Sequence, residues 1–276
     1  MTTLNRPALR DLEGYPFSVL FSEGARGPAE RVAERCHRAN DYLNGVLEFA
    51  PRFRLLVLSP EDWAGHAAFP VYGMPHYGGT GNIFVGATTA EFFQGIVGLL
   101  DGVLDDQART EMDNVYGKVD GEPDVSEFAD LLVVHELAHL YHVLFPFEFP
   151  RLWLKELFAN LCLHAYVAEA EPAQLPSLTT WPACMKLLPT ARVRHHSLED
   201  FERLYVGVGP ENYGWYQLRL HAAARDVYDA EGTDALRRMY GTFAAQGGKM
   251  TDRRLLEILE ARVSPSASRL VRTWPS

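Results

Sequence analysis

Leu131-Leu132-Val133-Val134-His135-Glu136-Leu137-Ala138-His139-Leu140-Tyr141 is the stretch on which the reading of this chain turns. It is an H-E-x-x-H pattern set inside an otherwise apolar run. Two histidines four residues apart on a helix leave it on one side, with Cβ atoms about 5–6 Å apart. One divalent ion can therefore take a nitrogen from each. Glu136 stands beside that ion, where it can accept a proton from water. A solvent-facing coincidence would show charged neighbours, whereas here the flanking residues are Leu, Val and Ala, with no proline inside the motif.

Working outward, the apolar spacing predicts a long helix over 125–145 that carries the motif. Pro146 and Pro150 bracket a turn, and a second helix follows over 151–170. A catalytic zinc takes three protein ligands and keeps one position open. The second helix can fold back on the first and bring Glu156 to the histidines. Its neighbours Trp153, Ala159 and Leu163 are apolar at helical spacing, so a carboxylate there needs a partner, and one zinc ion is a good one. Other third ligands are weaker. His142 lies one turn past His139 on the same helix, Glu148 follows too short a turn, and His164 lies two turns beyond Glu156.

The pattern His135-Glu136-x-x-His139, then sixteen residues, then Glu156 within Trp153-Leu154-Lys155-Glu156-Leu157-Phe158-Ala159 resembles the gluzincin zinc metallopeptidases. The resemblance spans mainly 131–163, with a looser extension to about 222. It implies zinc on His135, His139 and Glu156, with Glu136 as general base and a peptide or protein as substrate. It also implies a zincin-like α+β fold, in which a small N-terminal lobe packs a short sheet on the motif helix ahead of a mainly helical C-terminal lobe. Such enzymes often carry an acidic residue four positions after the glutamate ligand. This chain has Asn160, whose amide can still accept from an imidazole N–H but adds no charge. For the oxyanion donor, the segment Glu211–Arg219 offers Tyr213, with Tyr216 and His221 behind it. The stretch Gly78–Val85 resembles the edge strand above the zinc, which makes Gly79, Thr80, Gly81 and Asn82 substrate-binding candidates through strand pairing. The aminopeptidase G-x-M-E-N motif is missing, since Gly73-Met74-Pro75-His76 stands in its place.

Elsewhere the pattern predicts a helix over 28–50, a strand over 53–58, a loop over 75–82, a strand over 83–87 and a helix from 88 or 89 to about 104. The acidic, glycine-containing 101–124 and the four-proline 172–189 read as connections, and 63–70 is undecided. Helices are expected over 198–205, 212–230, 233–245 and 251–263. The chain then divides into a mixed α/β lobe, 1–124, and a metal-binding helical lobe, 125–276, acting as one catalytic unit. His195-His196, beside Arg192 and Arg194, reads as structural.

Bulk properties narrow the partners. A net charge of −10 argues against nucleic acid. No stretch reaches the roughly 20 apolar residues of a membrane span, and Met1–Pro7 leads into charge rather than a secretory signal. Three widely spaced cysteines fit reduced thiols in the cytoplasm. The expectation is a cytoplasmic zinc-dependent peptidase. The alternative is a metallopeptidase-like protein that binds a peptide or protein partner without cleaving it. A purely structural zinc ranks last, because no cysteine joins the cluster.

Overall fold

The computed structural model describes residues 8–145 and 147–275. Met1–Pro7, read above for a secretory signal, and Pro146, read as bracketing the turn, lie outside the described residues. The chain opens with β1 (Arg10–Leu12) and β2 (Ser18–Phe21), then α1 (Arg26–Leu47), β3 (Arg54–Leu58), α2 (Pro60–His66), β4 (His76–Gly78) and β5 (Asn82–Gly86). After α3 (Phe92–Gly98) and α4 (Asp106–Tyr116), a two-strand hairpin of β6 (Lys118–Val119) and β7 (Glu122–Pro123) leads into α5 (Ser126–Val143). The remainder is helical: α6 (Leu152–Ala170), α7 (Leu175–Met185), α8 (Leu198–Leu204), α9 (Pro210–Glu231), α10 (Thr233–Gln246), α11 (Asp252–Ile258) and α12 (Pro265–Thr273). The fold is mixed α+β, a small sheet ahead of a helical C-terminal region. No helix among the described residues is long and apolar enough to cross a membrane. Cys36, Cys162 and Cys184 are all buried and free.

The sheet has five strands in the order β1-β2-β3-β5-β4. Its three inner strands run parallel, and the two edge strands are antiparallel. Side chains alternate between its faces with period two. Val19, Leu55, Val57, Ile83 and Val85 enter the main core, while Leu56, Leu58 and Phe84 meet Trp63 on the other face. Burial on both faces explains why β3 and β5 read as continuous apolar runs. The amphipathic α1 places Val32, Cys36, Ala39 and Leu43 in the same core. That core runs from Leu12 to Ala267, so it crosses the boundary drawn at residue 124. At its centre lie α5 and α6, apolar almost all round and buried almost throughout.

Several elements differ from the sequence reading. β1 and β2 arise where Gly14 and Pro16 break the pattern. β4 forms inside the expected 75–82 loop, and α2 occupies the undecided segment. The expected helix from 88 or 89 to 104 shortens to α3. Within 101–124, α4 forms because the Asp105 side chain accepts from the Ala108 N–H at 2.8 Å. Only Ala108, Met112 and Tyr116 of α4 are buried, a stripe too narrow to stand out in an acidic segment. At the C-terminus, α11 widens into a π-helical turn, Leu259–Val263, and Ser264 caps the unanticipated α12.

The expected loop 172–189 contains α7, with Pro182 inside it. A proline in a helix interior pushes on the preceding turn, and a tertiary contact offsets that here. The Tyr116 hydroxyl accepts from the Trp181 N–H at 3.1 Å and donates to the Ser177 carbonyl at 2.7 Å. Those two backbone groups would be each other's partners in a regular helix. Tyr116→Phe leaves both without the hydroxyl, at an expected cost of about 1–3 kcal/mol. Urea unfolding checks this: the midpoint should fall at constant slope, and an unchanged midpoint would refute the role.

Candidate metal centre

The turn after α5 returns the chain along it as α6. His135 meets Asn160 while His139, a turn later on α5, meets Glu156, a turn earlier on α6, so the two helices run antiparallel. This places Glu156 opposite both motif histidines. His135, His139 and Glu156 form a buried group whose ligand atoms converge. His135 Nε2 lies 3.1 Å from Glu156 Oε2 and 3.1 Å from His139 Nε2, and the third side of the triangle is 3.4 Å. Bond lengths of roughly 2.0–2.1 Å to a tetrahedral ion would set its ligand atoms about 3.3 Å apart. The three atoms therefore match one face of such a tetrahedron.

The partners of the outer ring nitrogens sharpen this. His135 Nδ1 faces Asn160 Oδ1 at 3.1 Å. A carbonyl oxygen can only accept, so this nitrogen carries the proton and a neutral His135 turns a lone pair toward the cluster. His139 Nδ1 faces His142 Nε2 at 3.1 Å. Burial, reinforced by His139, pushes His142 down to about 2, and burial pushes His139 down to about 4 against the pull of Glu156. Burial also lowers His135, but its hydrogen bond to Glu156 and the nearby carboxylate of Glu136 outweigh that and raise it. Two imidazoles and an ionised carboxylate, converging at hydrogen-bond distance in a dry interior, form a donor set that fits a divalent cation.

The two glutamates are driven apart. Burial raises Glu136 to about 8, and the charge of Glu156 adds to it against His135 and Lys155. Burial acts on Glu156 in the same direction, yet His139, Lys155 and the bonds from the two imidazoles overcome it and hold Glu156 well below the usual carboxylate range. Environments that separate two carboxylates in this way are those that assign one to proton transfer and the other to permanent charge.

Residues distant in sequence complete the centre. Tyr205 donates to Glu156 Oε1 at 2.7 Å, and Lys155 Nζ lies 3.1 Å from the Tyr205 hydroxyl and 3.4 Å from Glu156 Oε1. Tyr205 has φ 46° and ψ −122°, a backbone conformation costly for a side chain of this size. Gln217 Nε2 donates to Glu156 Oε2 and to the Tyr213 hydroxyl, both at 2.8 Å. The ring of Tyr77 from β4 lies 4.6 Å from that of His139.

The structure brings His135, Glu136, His139, Glu156, Asn160 and Tyr213 to one cavity of about 380 Å³. His221 also lines it, whereas Tyr216 does not; its hydroxyl bonds the Ser197 carbonyl at 2.8 Å. Gly79, Thr80, Gly81 and Asn82 are not among the lining residues; the first three form the turn between β4 and β5, and Asn82 begins β5. The strand reading of Gly78–Val85 is corrected accordingly. Ile83–Val85 lies in the interior strand β5, and the edge is β4, whose His76 and Tyr77 line the cavity. His164 packs against His221 and Tyr228. The backbone of His195 exchanges two hydrogen bonds with the side chain of Asn212.

Sequence reading missed Tyr205, Gln217 and Lys155, and weighed His142 only as a ligand. Lys155 and His142 had a legible signal, since each sits within a helical turn of a ligand in an apolar stretch. Tyr205 and Gln217 lie in segments with no periodic mark of a site. Away from the triad the cavity is apolar, walled by Phe92, Phe93, Ile96, Phe128, Leu132 and Trp181. α3 reaches this wall because α9 has Gly214 opposite it, where a Cβ would stand 2.4 Å from Ile96 Cδ1. No family model, curated protein or solved structure matches this chain.

Proposed function

We propose that this protein is a zinc-dependent hydrolase of gluzincin type, most simply a cytoplasmic peptidase, with His135, His139 and Glu156 as ligands and Glu136 as general base. The observation that carries it is the triangle of ligand atoms with a second, high-pKa carboxylate on the adjoining residue. Zinc, when bound, supplies Lewis acidity toward a carbonyl oxygen and acidifies water. Glu136 takes the proton of the attacking water at its carboxylate and returns it to the departing amine. The hydroxyl of Tyr213, which accepts from Gln217 and keeps its own proton, is the donor available to a developing oxyanion, and the β4 edge offers backbone groups to an extended peptide. The apolar walls exclude water and orient one side chain.

The supporting assay is cleavage of a peptide library by metal-loaded protein, abolished by chelator and restored by zinc. Metal-independent cleavage would refute the proposal. Peptides placing Phe or Leu in the cavity should exceed those with Asp or Lys by about 10–100-fold in kcat/KM, because burying such a side chain contributes about 1.5–3 kcal/mol. Equal rates across the series would take the cavity out of substrate selection. The second reading, a protein that holds metal and binds peptides without cleaving them, is favoured by Asn160, which gives His135 an orienting partner without charge. Peptide binding with no cleavage would establish it.

A further inference from the structure

We propose that Gln217 is a positioning residue for the metal centre: its amide, seated between Glu156 and Asn160, dictates which way Asn160 presents its carbonyl, and so which nitrogen of His135 carries the proton. This rests on reading His135, His139 and Glu156 as ligands.

Donors and acceptors alternate along one chain of contacts from Glu156 to His135. A metal-binding carboxylate only accepts, so the Gln217 group that lies 2.8 Å from Glu156 Oε2 must be the NH₂. The same NH₂ reaches the Tyr213 hydroxyl at 2.8 Å. That turns Gln217 Oε1 toward Asn160, which must answer with its own NH₂, at 3.3 Å. Asn160 Oδ1 is then left facing His135 Nδ1 at 3.1 Å and His221 Nδ1 at 3.3 Å. Both imidazoles must protonate those nitrogens, and the free lone pair of His135 falls on Nε2, at the ligand triangle.

An asparagine amide has nearly the same shape in its two flipped orientations, so only its partners choose between them. Turned the other way, Asn160 would offer an NH₂ to His135 Nδ1, driving the imidazole proton to Nε2, where it blocks coordination. An aspartate at this place would need no such help, because both its oxygens accept. The neutral amide at Asn160 is what makes Gln217 necessary. Asn160 belongs to α6 and Gln217 to α9, two closely packed helices, so the relay is held by the helix pair rather than by a loop.

The test is zinc affinity, measured by competition with a chromophoric chelator, on wild type, Gln217→Met, Asn160→Asp and the double variant. Loss of an orienting partner typically costs about 10–100-fold in metal affinity. Gln217→Met should show a loss of that size, and in the Asn160→Asp background the same change should cost less than a third of it on a logarithmic scale. An equal loss in both backgrounds would mean that Gln217 acts on Glu156 directly, and would overturn the proposal, as would no loss in the single variant. Long-range ¹H–¹⁵N spectra of the histidines in chelator-treated protein give an independent readout. His221, whose Nδ1 meets the same Asn160 oxygen, should be protonated at that nitrogen in wild type and lose that preference in folded Gln217→Met. An unchanged tautomer in the variant would also overturn the relay. If wild type binds no zinc, the metal-centre reading fails, while the tautomer measurement still decides the relay.

Discussion

Glu136→Gln should retain zinc and lose turnover by about 10²–10⁴-fold, the range that a positioned general base contributes. The change keeps the shape of the side chain and does not touch the three ligand atoms, so zinc content and the protection zinc gives against unfolding should match wild type. What disappears is the proton acceptor. The carboxylate of Glu136 is buried on the α5 face that carries both histidines, and burial raises its pKa to about 8. An amide at this position cannot take a proton from water or return one to an amine. The comparison to make is kcat/KM beside zinc stoichiometry on the same preparations. Full activity in a variant with full zinc would sink the assignment of Glu136, whereas lost zinc would show that the variant disturbed the centre itself.

Glu156→Ala should remove zinc binding altogether at concentrations that saturate wild type. The side chain supplies one corner of the ligand triangle and is also where Tyr205, Lys155 and Gln217 converge. Its loss should exceed the about 10–100-fold expected for an orienting partner. A ligand that binds only the folded state stabilises it by about 4.1 kcal/mol at 1,000 times its Kd. Wild type should therefore unfold at a clearly higher temperature with zinc than with chelator, and Glu156→Ala at the same temperature in both. A variant that still gained the full zinc-dependent shift would displace Glu156 from the ligand set. The chelator measurement on the variant also shows what the carboxylate does for the fold, because its removal leaves the ammonium of Lys155 facing the hydroxyls of Tyr77 and Tyr205 without a carboxylate.

Much of the metal centre was legible from one dimension because its first parts are local. His135 and His139 meet through the helical repeat alone, and their apolar neighbours mark the helix as buried. Glu156 was legible for a related reason. Two apolar helices joined by a short proline-containing turn have few ways to pack other than antiparallel, and a carboxylate in the apolar face of the second must point at something. Asn160 follows from Glu156 by one further helical turn.

The elements that escaped share a different character. α7 carries prolines that by themselves argue against a helix, and the Tyr116 hydroxyl that completes its kink comes from sixty-one residues earlier in the chain. β5, expected at the edge, is interior because it pairs with β3, and the edge is β4, formed inside the expected loop. Gly79–Asn82, the substrate-binding candidates, are not among the residues that line the cavity.

The sequence by itself determined the groups of the candidate centre: two imidazoles and a carboxylate on one helix, a second carboxylate on the next, and a chain with the apolar content to bury them. These follow from spacing along single helices, where geometry is dictated by the backbone repeat. Only the tertiary structure decided what surrounds that chemistry. Tyr205, strained at the end of α8, donates to Glu156. Gln217 of α9 joins Glu156 to Asn160. Residues of α3, α5 and α7 make an apolar chamber beside the ligands. Their roles depend on which helices pack together and at what rotation, and that is set by the summed burial of the whole core rather than by any pattern within the segments themselves.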